Sequence, residues 1–265
     1  MLRLLFVFAT ILALSNSASI PTQTIKDDNG RIVGGKLSDI TKHPHQISIR
    51  YKKCGTCSFK HICGGTIVSD KIILTAAHCV VDNEAKYMHV VAGTNERTGH
   101  GIMVPVKNFV YHEDFYKLTP FDNDVAILVL DVELPLNGYD IKAIEMTETR
   151  PLPYEIAQVT GWGQVSEIGA LSDLLLEVEV SIIPNEICEA RFDEGRINPS
   201  MLCAGTAKGG KDACSGDSGG PLLVNGVLVG VVSWGDGCAR AEFPGVYASV
   251  ADLRPWIDAA IKANS

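Results

Sequence analysis

Cations are scarce in this chain of 265 residues. Lys and Arg total 23 against 31 Asp and Glu, a formal charge of −8. Nucleic-acid binders need an excess of cations to displace phosphate counterions, so that class is excluded. Long apolar runs are missing too. The one candidate, Leu4 to Leu14, has eleven residues, well short of the roughly 20 that cross a bilayer. No solenoid-like period recurs. After that run there is no N-glycosylation sequon, because proline blocks Asn198-Pro199-Ser200. Nor is the chain poor in apolar residues: 46% are hydrophobic, which excludes a disordered tail and supplies a core for one large domain or two small ones.

Arg3, the short apolar centre and the small residues from Ser15 to Ser19 describe a secretory signal over 1–18. Secretion into the extracellular space is therefore expected. Eight cysteines follow it: Cys54, Cys57, Cys63, Cys79, Cys188, Cys203, Cys214 and Cys238. An even number behind a signal indicates disulfides, with about a hundred possible pairings. Cys54-x-x-Cys57 has no second pair at zinc spacing, so a small local disulfide is expected there.

Runs such as 46–50, 66–74, 125–130, 158–160 and 222–232 are rich in Ile and Val and separated by Gly, Pro, Asn and Asp. That pattern predicts an all-β sandwich or barrel. One helix is predicted at the carboxyl end, capped by Asp252, with Pro255 in its first turn and Trp256, Ile257, Ala260 and Ile261 on one face. Pro151 and Pro153 mark a link between two halves near 146–153.

Three segments carry chemistry: Thr-Ala-Ala-His-Cys at 75–79, Asp-Asn-Asp-Val-Ala-Ile-Leu at 122–128 and Cys-Ser-Gly-Asp-Ser-Gly-Gly-Pro at 214–221. Separately, each could be a packed histidine, a solvated turn or a loop. Together, in the order His, Asp, Ser, they point to nucleophilic catalysis. Arg-Ile-Val-Gly-Gly at 31–35, Gly161-Trp162-Gly163, Ser233-Trp234-Gly235 and Pro244-Gly245-Val246-Tyr247 extend the pattern. From Ile32 to the carboxyl end, the chain resembles the chymotrypsin-like serine proteases, most closely their trypsin branch.

The resemblance implies two antiparallel six-stranded β-barrels with the active site between them and a carboxyl-terminal helix. The first barrel would span about 32–146 and the second, with the helix, about 147–265. It implies His78, Asp124 and Ser218 as the catalytic set, with Gly216 and Ser218 supplying oxyanion-hole N–H groups. Asp212 would floor a pocket for Arg or Lys, with Ala213, Ser233, Trp234, Gly235 and Gly245 also binding substrate. Many trypsins carry a hydroxyl where Ala213 stands, so a shift towards Arg is expected. Cys63–Cys79, Cys188–Cys203 and Cys214–Cys238 would be disulfides. Residues 19–31 would be an activation peptide; a cut after Arg31 would free Ile32 to pair with Asp217.

No cofactor or metal is expected. His43, His45, His61, His89, His100 and His112 lack ligand spacing, and 92–101 offers only Glu96 as a calcium ligand. Expected partners are substrates with Arg or Lys before the cut bond, an activating protease and protein inhibitors, but no nucleic acid or membrane. A monomer is expected. The short leader favours a digestive or venom-type enzyme over a cascade protease. An inactive protease-shaped binding protein is the other class, disfavoured because the full catalytic set is present.

Overall fold

The computed structural model describes residues 32–265. The expected signal and activation peptide, with Arg31, lie outside the described residues. A short β1 (Lys36–Leu37) comes first. Six strands then close an antiparallel barrel: β2 (Gln46–Tyr51), β3 (Lys60–Ile67), β4 (Ile72–Thr75), β5 (Met88–Ala92), β6 (Ile102–Tyr111) and β7 (Ala126–Leu130), in the order β2-β3-β4-β7-β6-β5. Six more follow: β8 (Ile156–Gly161), β9 (Leu176–Ile183), β10 (Met201–Gly205), β11 (Pro221–Val224), β12 (Val227–Trp234) and β13 (Gly245–Ser249). Their order is β9-β10-β13-β12-β11-β8, and pairing of β8 with β9 closes this second barrel.

The fold is the expected all-β double barrel, since alternating Ile and Val on short strands leave one face apolar and a closed sheet buries it without edges. Each barrel has its own core, with Ile47, Ile73, Leu74 and Ile127 in the first and Val159, Leu176, Leu222 and Tyr247 in the second.

Details differ from the sequence reading. The apolar run 66–74 is two strands joined by a turn at 68–71. The run 222–232 is likewise a hairpin, folded where Asn225 (φ 50°) and Gly226 (φ 79°) take the left-handed conformation such tight turns require. Residues 32–37, counted with the first barrel, lie on the second: β1 pairs with β9, and Ile32 is fully buried in the second core. The short helix α1 (Asn185–Glu189) precedes β10, and α2 (Val250–Asn264) ends the chain. Ser249 is the N-cap of α2, not Asp252, which lies in the first turn and accepts from the Ser249 hydroxyl. Pro255 therefore falls inside the helix. Leu253 and Ile257 of α2 pack with first-barrel residues, strapping the two barrels together. Among the described residues no helix is long and apolar enough to cross a membrane.

Candidate active site

His78 sits on a one-turn 3-10 helix, Ala77–Cys79, directly after β4. The Cys63–Cys79 disulfide ties this turn back to β3; closing such a loop contributes roughly 3 kcal/mol. The His78 backbone N–H donates to Asp124 Oδ1 at 2.9 Å, and its Nδ1 meets Asp124 Oδ2 at 2.7 Å. Asp124, only 1% exposed, lies just ahead of β7. The Ser233 hydroxyl donates to the same Oδ2 at 2.5 Å. Ser233, expected to serve the substrate, thus spends its hydroxyl on the carboxylate. These bonds fix the ring so that Nδ1 carries the proton and Nε2 is left as an acceptor.

Ser218 arrives from the second barrel. Its carbonyl accepts from Gly64 N–H at 2.8 Å, and the next residue, Gly219, donates to Val232 O at 2.8 Å. Gly219 has φ 78°, and a Cβ there would lie 2.1 Å from Thr75 Oγ1, so only glycine fits this junction of the barrels. Ser218 and His78 line one cavity of about 320 Å³. Among the described residues no hydrogen bond joins the Ser218 hydroxyl to the imidazole; such contacts are often long without substrate and tighten when it binds. The backbone N–H groups of Gly216 and Ser218 donate to no protein acceptor among the described residues.

The floor of the cavity is Asp212, 3% exposed. Its Oδ2 accepts from Ala239 N–H at 3.0 Å, while Oδ1 is buried with no partner. Burial pushes this carboxyl up to about 7, against the backbone hydrogen bonds that pull it down. Ala213, Trp234 and Gly235 line the walls. A Cβ on Gly245 would lie 2.6 Å from Asp212 Oδ1, so any side chain there would cover the carboxylate. Cys214–Cys238 joins two sides of the cavity; Cys188–Cys203 and Cys54–Cys57 are also bonded.

Asp217, next to Ser218, is fully buried. It accepts from Gly163 N–H at 2.8 Å and Cys214 N–H at 3.0 Å. Even so, burial pushes it up to about 6.

Several contributors escaped the sequence reading. The Gly216 carbonyl bonds His61 Nε2 at 2.9 Å, while Ser48 Oγ meets Nδ1 at 2.8 Å. A carbonyl only accepts, so Nε2 carries the proton and the Ser48 hydroxyl donates to Nδ1. Burial holds this ring down near 4, and hence neutral. Phe121 sets its edge against His78 with centroids 5.6 Å apart. Arg196, doubly bonded to Asp236 at 2.7 and 2.9 Å, covers the Trp234 ring at 4.6 Å. No local motif marks these residues, because their partners come from segments distant in the chain. Among the described residues, the one cluster of three possible metal ligands is Cys63, His78 and Cys79, and its sulfurs are spent in a disulfide.

A serine, an Asp-bound imidazole and a buried carboxylate lining one cavity between two β-barrels are the arrangement of a serine endopeptidase. The chain belongs to the trypsin family: the family model described as Trypsin matches residues 32–257. Trypsin zeta of Drosophila melanogaster is 49% identical, the match covering 88% of this chain and 86% of that protein. Trypsin eta of the same fly is 43% identical (86% and 88% covered), and the vitellin-degrading protease of Bombyx mori is also 43% identical (96% and 93%). The chain is accordingly a trypsin-like serine endopeptidase acting on protein substrates.

Proposed function

We propose that this endopeptidase is secreted as an inactive precursor and cuts peptide bonds after Arg or Lys. The observation that carries the specificity is the unpartnered Oδ1 of Asp212 at the end of the cavity that holds Ser218 and His78. A guanidinium or ammonium entering there gives the carboxylate the partner it lacks; a neutral side chain leaves it buried and bare.

Ser218 Oγ attacks the scissile carbonyl as His78 Nε2 takes its proton, and His78 then delivers that proton to the leaving amine. Asp124 holds the tautomer and stabilises the imidazolium. The N–H groups of Gly216 and Ser218 receive the oxyanion; losing one such donor costs about 3 kcal/mol in the barrier. Water then repeats the attack on the acyl-enzyme.

In the uncut chain Asp217 is held by two backbone donors and pairs with no cation among the described residues, which suits a site that receives one on activation. Cutting after Arg31 turns Ile32, already in the second core, into an ammonium that meets it. An activating protease and protein inhibitors are the partners, and the active form is a monomer. A digestive or venom-type role fits best, and the silkworm relative named for degrading vitellin supports bulk degradation over a single regulated cut.

The test is titration with a phosphonate carrying an Arg side chain. The protein cut after Arg31 should take up one equivalent on Ser218 and lose all activity. Uncut Arg31→Gln protein should be about 10³-fold less active, because one member of a buried ion pair is missing. Full activity without the cut, or no labelling of Ser218, overturns the reading.

Ala213 offers the pocket no hydroxyl. Arginine can meet Asp212 with its two-pronged guanidinium, whereas a lysine ammonium must find other acceptors. Ala213→Ser is expected to narrow the Arg-to-Lys ratio of kcat/KM by roughly three- to tenfold, the net value of one ordinary hydrogen bond. Matched Arg and Lys peptide substrates measure it, and an unchanged ratio removes Ala213 as a determinant.

A further inference from the structure

One buried carboxylate outside the reacting groups gathers the amino-terminal segment. Glu177 on β9 is 5% exposed. It accepts from Ser38 Oγ at 2.5 Å, Lys36 Nζ at 3.0 Å and His43 Nε2 at 2.9 Å. Lys36 and Ser38 flank Leu37 of β1, and Lys36 lies opposite Glu177 in the β1–β9 register. Gly35 packs so closely that a Cβ on it would lie 2.7 Å from the Glu177 carbonyl oxygen. The three donors hold the carboxyl down near 2 although burial alone would raise it. No step of the proposed reaction uses this group.

We propose that Glu177 is a positioning residue that clamps segment 36–38 on the second barrel and so keeps the activated Ile32 terminus inserted. The inference rests on the activation reading above and names the group that regulates it. After the cut, residues 32–35 are a free chain end, and chain ends fray unless tied. Ordering each residue costs backbone entropy, so the distance to the first firm anchor matters. The clamp puts that anchor four positions from Ile32. Between the two, the Val33 carbonyl accepts from Asp212 N–H at 3.2 Å, so the held segment also touches the floor of the specificity cavity. Loss of the clamp would loosen both Ile32 and the backbone beneath the pocket.

Cyanate reads this directly, because it carbamylates a free, neutral α-amine and spares one buried in an ion pair. In protein cut after Arg31, Glu177→Ala should let Ile32 react at least about tenfold faster than wild type, the factor expected when hydrogen bonds to a charge are lost. The fraction titratable by the phosphonate should fall in parallel. Glu177→Gln keeps an acceptor oxygen without the charge and should lie between the two. Ser38→Ala removes one donor and should give roughly a threefold increase; it also guards against a Glu177 variant that does not fold. Wild-type reaction rates with a full titratable fraction in Glu177→Ala and Ser38→Ala overturn the clamp, even if their melting temperatures drop. A control separates the two ideas: carbamylating Ile32 in wild type should abolish activity. If activity survives, the activation reading fails and takes the clamp with it. If activity is lost but the variants react like wild type, the clamp alone is wrong.

Discussion

Ser218→Ala in the cut protein lowers kcat about 10⁶-fold while KM for an Arg ester changes only a few fold. The size follows from the division of labour in the site. Without the hydroxyl there is no acyl-enzyme, and His78 has no proton to move. The Asp212 floor and the N–H groups of Gly216 and Ser218 are untouched, so binding and some oxyanion stabilisation persist. The residual rate should stay about 10³- to 10⁴-fold above the reaction in water. His78→Ala should cost nearly as much alone, and the double variant no more than either, because the groups act as one unit. Asp124→Asn keeps the shape but can present an amide N–H to Nδ1, where a carboxylate accepts at 2.7 Å, which favours the wrong tautomer. A loss of about 10⁴ in kcat is expected there. Steady-state and single-turnover kinetics on folded variants measure all four. A Ser218→Ala enzyme within tenfold of wild type, or losses that simply multiply, would assign the chemistry elsewhere.

The proposed reacting groups stand out in the sequence because each sits in a short, specific string, and around Ser218 that string also needs an unusual backbone. Glycines at 216 and 219 allow left-handed turns beside Ser218, and a Cβ at Gly216 would lie 2.5 Å from Leu171 Cδ2. The strand-rich architecture was legible from alternating Ile and Val. What local pattern could not show is pairing through space. Glu177 and Glu179 alternate with Leu and Val like two outward charges on one strand; only the arrival of β1 and His43 buries the first and leaves the second exposed. His61 resembled any packed histidine until Ser48 and Gly216 were found on either side of its ring. The Asn225-Gly226 turn did carry a readable signal, since Asn-Gly between apolar runs marks a hairpin. There the continuous apolar run masked the break.

Asp212→Asn is expected to weaken binding of an arylamidinium inhibitor about 10³-fold while making the protein more stable above pH 7. Both effects come from one buried charge. In the free protein, desolvation raises this carboxyl from 3.8 to about 7, which corresponds to about 4 kcal/mol against the ionised form. An unfolded chain releases the proton near pH 4, whereas the folded chain keeps it until about 7. Between those values the folded state binds more protons, so stability falls as pH rises, and above pH 7 the whole cost is present. Asparagine does not titrate, so its variant should lack that slope. The inhibitor responds in the opposite sense: it requires the carboxylate, so its affinity for wild type should drop roughly tenfold per pH unit below about 7 and be level above it. An Ile32 ammonium beside Asp217 would lower this midpoint, since the Asp217 charge is one of the causes that raise Asp212. Calorimetric binding and thermal unfolding from about pH 5 to about pH 9 measure both curves. A receptor group that lacks its ligand is a cost to the fold, and removing it should relieve the fold as it abolishes recognition. A variant losing affinity and stability together would mark Asp212 as a support for the pocket wall, with the selection of cations made elsewhere.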